Sequence, residues 1–170
     1  MTQGSASVSI AAADDRTVGE ALAQHYRAHG LAPDGGVNDR WFRVRIGAFS
    51  IRLPNPPARR RALLLHDANH VATGYDTRFG NGELSIAAFE VGAGCGRFAI
   101  VWFINLTMFA IGLVCRPRLA VRAFNRGRQS VSIYRDPPSS DALVAMSVRE
   151  LRARLGLDSF DGGAGRAGRL

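Results

Sequence analysis

His66 and His70 stand four residues apart in the stretch LLLHDANH that runs from Leu63 to His70. On a helix this spacing places both imidazoles on one face. Two ring nitrogens can then reach one ion, as they do in the H-E-x-x-H helix of metalloproteases. Asp67 flanks the pair, where it can ligate directly or orient a histidine through a hydrogen bond. Glu83 follows the turn residues Asn81 and Gly82, and Glu90 lies seven residues further on. Seven residues is two helical turns, so Glu83 and Glu90 share a face. Neutral imidazole combined with carboxylate suits Zn, Fe or Mn and not a thiolate-type structural site. Three strong protein ligands leave a coordination position for water or substrate. Glu83 follows the turn that returns the chain to the histidines and is assigned to the metal. Glu90 is assigned to orienting a ligand or to transferring a proton.

The competing reading is an ordinary helix with solvated histidines and Glu83 complementing a helix dipole. A bare H-x-x-x-H pair occurs often by chance, and the adjacent Asp67 with the downstream Gly-Glu-x6-Glu favours the metal. His25 and His29 form a second pair four apart, accompanied by no acidic residue beyond Glu20. They read as a polar helix edge near a C-cap.

Elements must bring these residues together. Thr17 to His29 reads as an amphipathic helix stopped by Gly30. Arg40 to Leu53 alternates as a strand does, and reads as a short hairpin through Gly47 or as an extended connector. Pro54, Pro56 and Pro57 break regular structure and set a helix start near Ala58. Ala58 to Ala72 then carries the histidines. Thr73 to Gly82 reads as a loop, Glu83 to Gly92 as a helix, Pro117 to Arg126 as a basic helix, and Asp141 to Leu157 as one last helix. The fold class is mainly α: a single helical domain over residues 15–160, with the metal site between two helices. Residues 1–14 read as a flexible leader without a signal-peptide pattern, and residues 161–170 as a disordered tail.

Phe98 to Val114 is an apolar run in which Asn105 and Thr107 are the clearly polar members, with Arg97 before it and Arg116 and Arg118 after it. Seventeen residues is at the lower limit for a bilayer span, for which about 20 are typical. The run reads as a spanning helix, an interfacial helix or a core helix, and the Gly-rich entrance at Gly92, Gly94 and Gly96 with the metal helices just upstream favours a membrane-docked or hydrophobic-ligand helix. The formal charge is +8 and all 22 basic residues are arginine. An all-arginine choice fits coding bias, whereas the net excess fits an anionic partner such as lipid headgroups. Nucleic-acid binding would rest on charge alone and is not expected. Cys95 and Cys115 have no C-x-x-C spacing and read as two small buried residues in a reducing, cytoplasmic compartment.

With these residues in view, the chain resembles the coenzyme Q biosynthesis protein 4 family of ubiquinone synthesis. The resemblance rests on His66-Asp67-x-x-His70 followed by Gly82-Glu83-x6-Glu90. Phe89-Glu90 stands at the family's aromatic-Glu position. Ala123 to Tyr134, with Arg126-Gly-Arg and a terminal Ile-Tyr, and the closing Glu150 to Leu157 agree with further blocks. It covers about Ala58 to Leu157. It implies an all-helical protein, peripheral to a membrane, whose metal is held by His66, Asp67, His70 and Glu83. It implies a prenylated or other apolar lipid as ligand, other biosynthetic proteins as partners, and a homodimer as one assembly. The activity it implies is metal-dependent oxidative decarboxylation or hydroxylation of a prenylated ring. The alternative is a metal-stabilised scaffold that binds lipid without turnover. An HD-type phosphohydrolase would need a further upstream His and a distant Asp that are not evident.

Overall fold

Thr17 begins the first helix with a reciprocal cap. Its hydroxyl accepts from the Glu20 amide at 3.2 Å, and the Glu20 carboxylate accepts from the Thr17 amide at 2.9 Å. Such a capping box satisfies orphan amides at the helix start. In the computed structural model this helix, α1, spans Val18–Ala28 and buries Val18, Ala21, Leu22 and Tyr26. The structure describes residues 15–30, 32–36, 39–46, 49–77 and 79–157. The leader at 1–14 and the tail at 161–170 lie outside the described residues.

Next comes an antiparallel hairpin of β1 (Trp41–Ile46) and β2 (Phe49–Pro54), in register from Trp41 opposite Pro54 to Ile46 opposite Phe49. The hairpin reading of this stretch holds; its turn at Gly47 lies outside the described residues. Pro57 then takes the first position of α2 (Pro57–Thr73), where its missing amide costs nothing. Gly74 closes α2 at φ 75, a left-handed conformation that glycine adopts without strain.

The stretch from Thr73 to Gly82, read as a loop from its glycines, is helical in its last part. Phe79–Glu83 forms a single π-turn leading into α3 (Leu84–Ala93). Gly82 permits this geometry, because a Cβ there would lie 1.6 Å from the Asp76 carbonyl oxygen. Helix α3 is buried on all sides, with Leu84 to Glu90 entirely inside. An apolar helix without a polar stripe belongs in a core. It packs against α4 (Ala99–Cys115) and, most extensively, α5 (Pro117–Arg128).

The α3–α5 contact is a backbone approach through two glycines. A Cβ on Gly127 would lie 2.0 Å from the Phe89 carbonyl oxygen, and one on Gly92 would lie 2.2 Å from that of Phe124. Gly127→Ala is therefore expected to destabilise the fold by about 1–3 kcal/mol through overpacking. Thermal unfolding checks this, and an unchanged midpoint would show that the helices can part without cost.

The single last helix expected over Asp141 to Leu157 is two. Helix α6 (Ser140–Ala145) and α7 (Val148–Arg154) are separated by Met146 and Ser147 in extended conformation. The break serves α1: Val18 donates to the Met146 carbonyl and Val148 to the Arg16 carbonyl, each at 2.9 Å. The Ser147 hydroxyl then caps α7 through the Glu150 amide at 3.0 Å.

Helix α4 is the apolar run, and it is neither a core helix nor a spanning one. It buries Val101, Asn105 and Gly112 while exposing Phe103, Leu106 and Val114. Among the described residues no helix is long and apolar enough to cross a membrane. Cys115, expected to be buried, is exposed at the end of this helix, beyond its contact at Gly112; Cys95 is buried as expected.

Candidate metal centre

His66 and His70 sit on α2, and Glu83 ends the π-turn that faces it. The two Nε2 atoms are 3.2 Å apart. The Glu83 carboxylate oxygens lie 3.7 Å from Nε2 of His66 and 3.5 Å from Nε2 of His70. These three residues form a group whose ligand atoms all lie within 4.8 Å of one another, and it could hold a metal ion. Metal–ligand bonds of about 2.0–2.1 Å in a tetrahedron place the ligand atoms about 3.3–3.4 Å apart. The observed triangle is close to one face of that figure.

The remaining ring nitrogens decide which atoms face the triangle. Nδ1 of His66 lies 3.1 Å from the Glu90 carboxylate, and Nδ1 of His70 lies 2.9 Å from the Tyr75 carbonyl oxygen. Both oxygens can only accept, so both Nδ1 atoms carry a proton and donate. Two Nε2 lone pairs then face each other, an arrangement that requires a proton or a cation between them. Burial works against charge on His66, but the Glu90 and Glu83 carboxylates outweigh it and raise its pKa well above the usual range. Burial and the neighbouring His66 push His70 down to about 4. Without metal, one proton on His66 fills the gap; with metal, the ion takes its place.

Glu90 is fully buried on α3, and burial alone would raise its pKa. The His66 charge and a ring of donors outweigh burial and hold the carboxyl below its usual range. It accepts from His66, from the Asn69 amide at 2.7 Å, from the Asn105 amide at 2.5 Å and from the Tyr134 hydroxyl at 2.9 Å. Carboxylates that receive the far nitrogen of a metal-binding histidine fix its orientation and raise its basicity. Of the expected roles for Glu90, its geometry is that of holding His66.

Asp67 stands beside the triangle and not in it. Its carboxylate accepts from the Tyr26 hydroxyl of α1 at 2.8 Å, and burial raises its pKa to about 6. The side chain next to His66 on a helix points away from the face that His66 shares with His70. Asp67 therefore anchors α1 to α2 at the level of the site.

The structure corrects the reading of His25 as a polar helix edge. Its ring centroid is 5.6 Å from that of His70 and 4.5 Å from that of the exposed His29. Asn69, Asn105 and Tyr134 were also missed, since nothing in their spacing marks them. Asn105 carried one signal, a lone amide in an apolar run.

The class defined by this fold and site is a helical protein with a two-histidine, one-glutamate group suited to a metal ion. Compared with family models, curated proteins and solved structures, the chain matches none.

Proposed function

We propose that this chain is a metal-binding protein that works at a membrane surface on a prenylated or similar apolar lipid. The observation that carries the reading is the triangle of His66, His70 and Glu83, with both histidines oriented from behind. The resemblance to the coenzyme Q biosynthesis protein 4 family supplies the substrate class and the oxidative decarboxylation or hydroxylation of a prenylated ring. His66, His70 and Glu83 would hold a divalent ion, with zinc first among Zn, Fe and Mn; zinc would polarise an oxygen at the position they leave open, and the oxidative chemistry with dioxygen would need redox-active iron or manganese there. The chain's own part is to hold that ion, through Glu90 behind His66 and Asp67 bracing α1. Metal analysis of the purified protein, with mass spectrometry of its co-purified lipid, tests the reading. Less than a tenth of an equivalent of any transition metal would overturn it.

The membrane limb rests on α4 and α5. Phe103 is 71% exposed and Val114 is 84% exposed. Arg116, just past the end of α4, and Arg118 and Arg122 on α5 are exposed as well. Exposed apolar side chains followed in the chain by exposed arginines suit an interface with anionic headgroups. The protein is expected to co-sediment with vesicles containing phosphatidylglycerol, more weakly at high salt, and Phe103→Ser should lower the bound fraction severalfold. Equal recovery in the supernatant with and without vesicles would count against a membrane role.

The non-catalytic scaffold keeps support from one observation. Glu90 has no exposed side-chain surface, so it has no direct path for proton exchange with a substrate.

A further inference from the structure

Nε2 of His25 is buried and has no hydrogen-bond partner among the described residues. Buried polar atoms nearly always have one, so such an atom marks a place where something else belongs. Its helix is tied to the site. His25 lies in α1, whose Tyr26 is tied to Asp67 on α2 at 2.8 Å, and the His25 carbonyl accepts from Nδ1 of His29 at 2.8 Å. The ring sits beside His70, with centroids 5.6 Å apart and planes tilted by 33°. It also lies within electrostatic range of His66 and Glu83. His25 thus stands next to the metal triangle, on α1, a further element beside α2 and the π-turn.

His25 does not belong to the group of ligand atoms lying within 4.8 Å of one another. Ligands in one coordination sphere sit about 3.3 Å apart, so His25 stands too far out to join them. A ligand atom held on the open position adds one metal bond and one hydrogen bond, about 2 Å and about 2.8 Å, and so extends the reach of the site beyond the ligand atoms themselves. Resting on the metal reading of the triangle, we infer that His25 Nε2 hydrogen-bonds the exogenous ligand carried on the ion. It positions an anionic or oxygen ligand there, and α1 is thereby part of the site. Neutral imidazole suits this task, since Nε2 donates to an anion or accepts from a water according to tautomer.

Cobalt(II) and azide test it in the full-length protein. The wild type is expected to take up one equivalent of Co²⁺, with azide shifting its visible absorption. His25→Phe keeps a ring for packing but has no nitrogen. It should hold Co²⁺ as the wild type does and bind azide about fivefold to tenfold more weakly, the worth of one hydrogen bond. His25→Gln, which retains an N–H donor, should recover most of that affinity. Azide binding unchanged in His25→Phe would overturn the inference. Loss of Co²⁺ from His25→Phe to the extent seen in His66→Ala would also overturn it, by making His25 a ligand itself. No Co²⁺ uptake by the wild type would instead sink the metal reading beneath it, a separate and recognisable failure.

Discussion

His66→Ala and His70→Ala are each expected to weaken metal binding by on the order of a hundredfold or more, while the helical circular dichroism persists. The magnitude follows from the ligand count. Structural zinc sites with four ligands bind with about 10–16 kcal/mol, so one ligand of three carries several kcal/mol. The fold should survive in both cases. Removing His66 leaves Glu90 with Asn69, Asn105 and Tyr134 as donors. Removing His70 is harsher, because it is only 2% exposed and its Nδ1 donates to the Tyr75 carbonyl. A cavity and an orphaned acceptor together cost about 2–4 kcal/mol. His66→Ala is therefore the cleaner variant, and elemental analysis after dialysis is the measurement. Metal content unchanged in both would end the assignment of the triangle.

The sequence made this site legible because helical spacing is geometry written directly in residue numbers. His66, His70 and the returning Glu83 need only a helix and a reversal to meet. The helices themselves were legible where caps and prolines mark them, as at Thr17, Pro57 and Pro117. Other features were hidden. The break at Met146 and Ser147 answers a tertiary demand, the backbone bonds to α1, which no local propensity encodes. The donors around Glu90 come from α2, α4 and the segment after α5, and their convergence depends on packing alone. The α4 face could be read as apolar but not as exposed, since a run of apolar residues looks the same in a core and on a surface. His25 does not read as part of the site because no acidic residue beyond Glu20 accompanies it in sequence; its neighbours, His70 and Glu83, arrive from other elements.

Glu90→Ala is expected to destabilise the protein by about 3–5 kcal/mol, because it leaves the half-buried His66 and the buried Asn69, Asn105 and Tyr134 without their acceptor. Glu90→Gln is the more informative change. The swap is near-isosteric, but the carboxylate is surrounded by donors on both oxygens. An amide keeps one acceptor and introduces an NH₂ among the donors, so the Asn105 amide must turn to offer its oxygen. A buried group left imperfectly paired costs about 1–3 kcal/mol. The lost negative charge also removes the partner that makes His66 a better ligand, which is worth about tenfold to a hundredfold in metal affinity. Glu90→Gln should therefore lower the melting temperature and the metal affinity together. Tyr134→Phe, which deletes one donor and keeps the charge, should cost only about 1 kcal/mol and leave the metal in place. Unchanged metal affinity in Glu90→Gln would show that the His66–Glu90 contact does not tune the site. The same variant separates the two functional readings once product formation is compared with metal occupancy. Product that falls only in proportion to metal lost makes Glu90 a holder of His66. Product lost at full metal occupancy would make it a proton carrier, despite its burial.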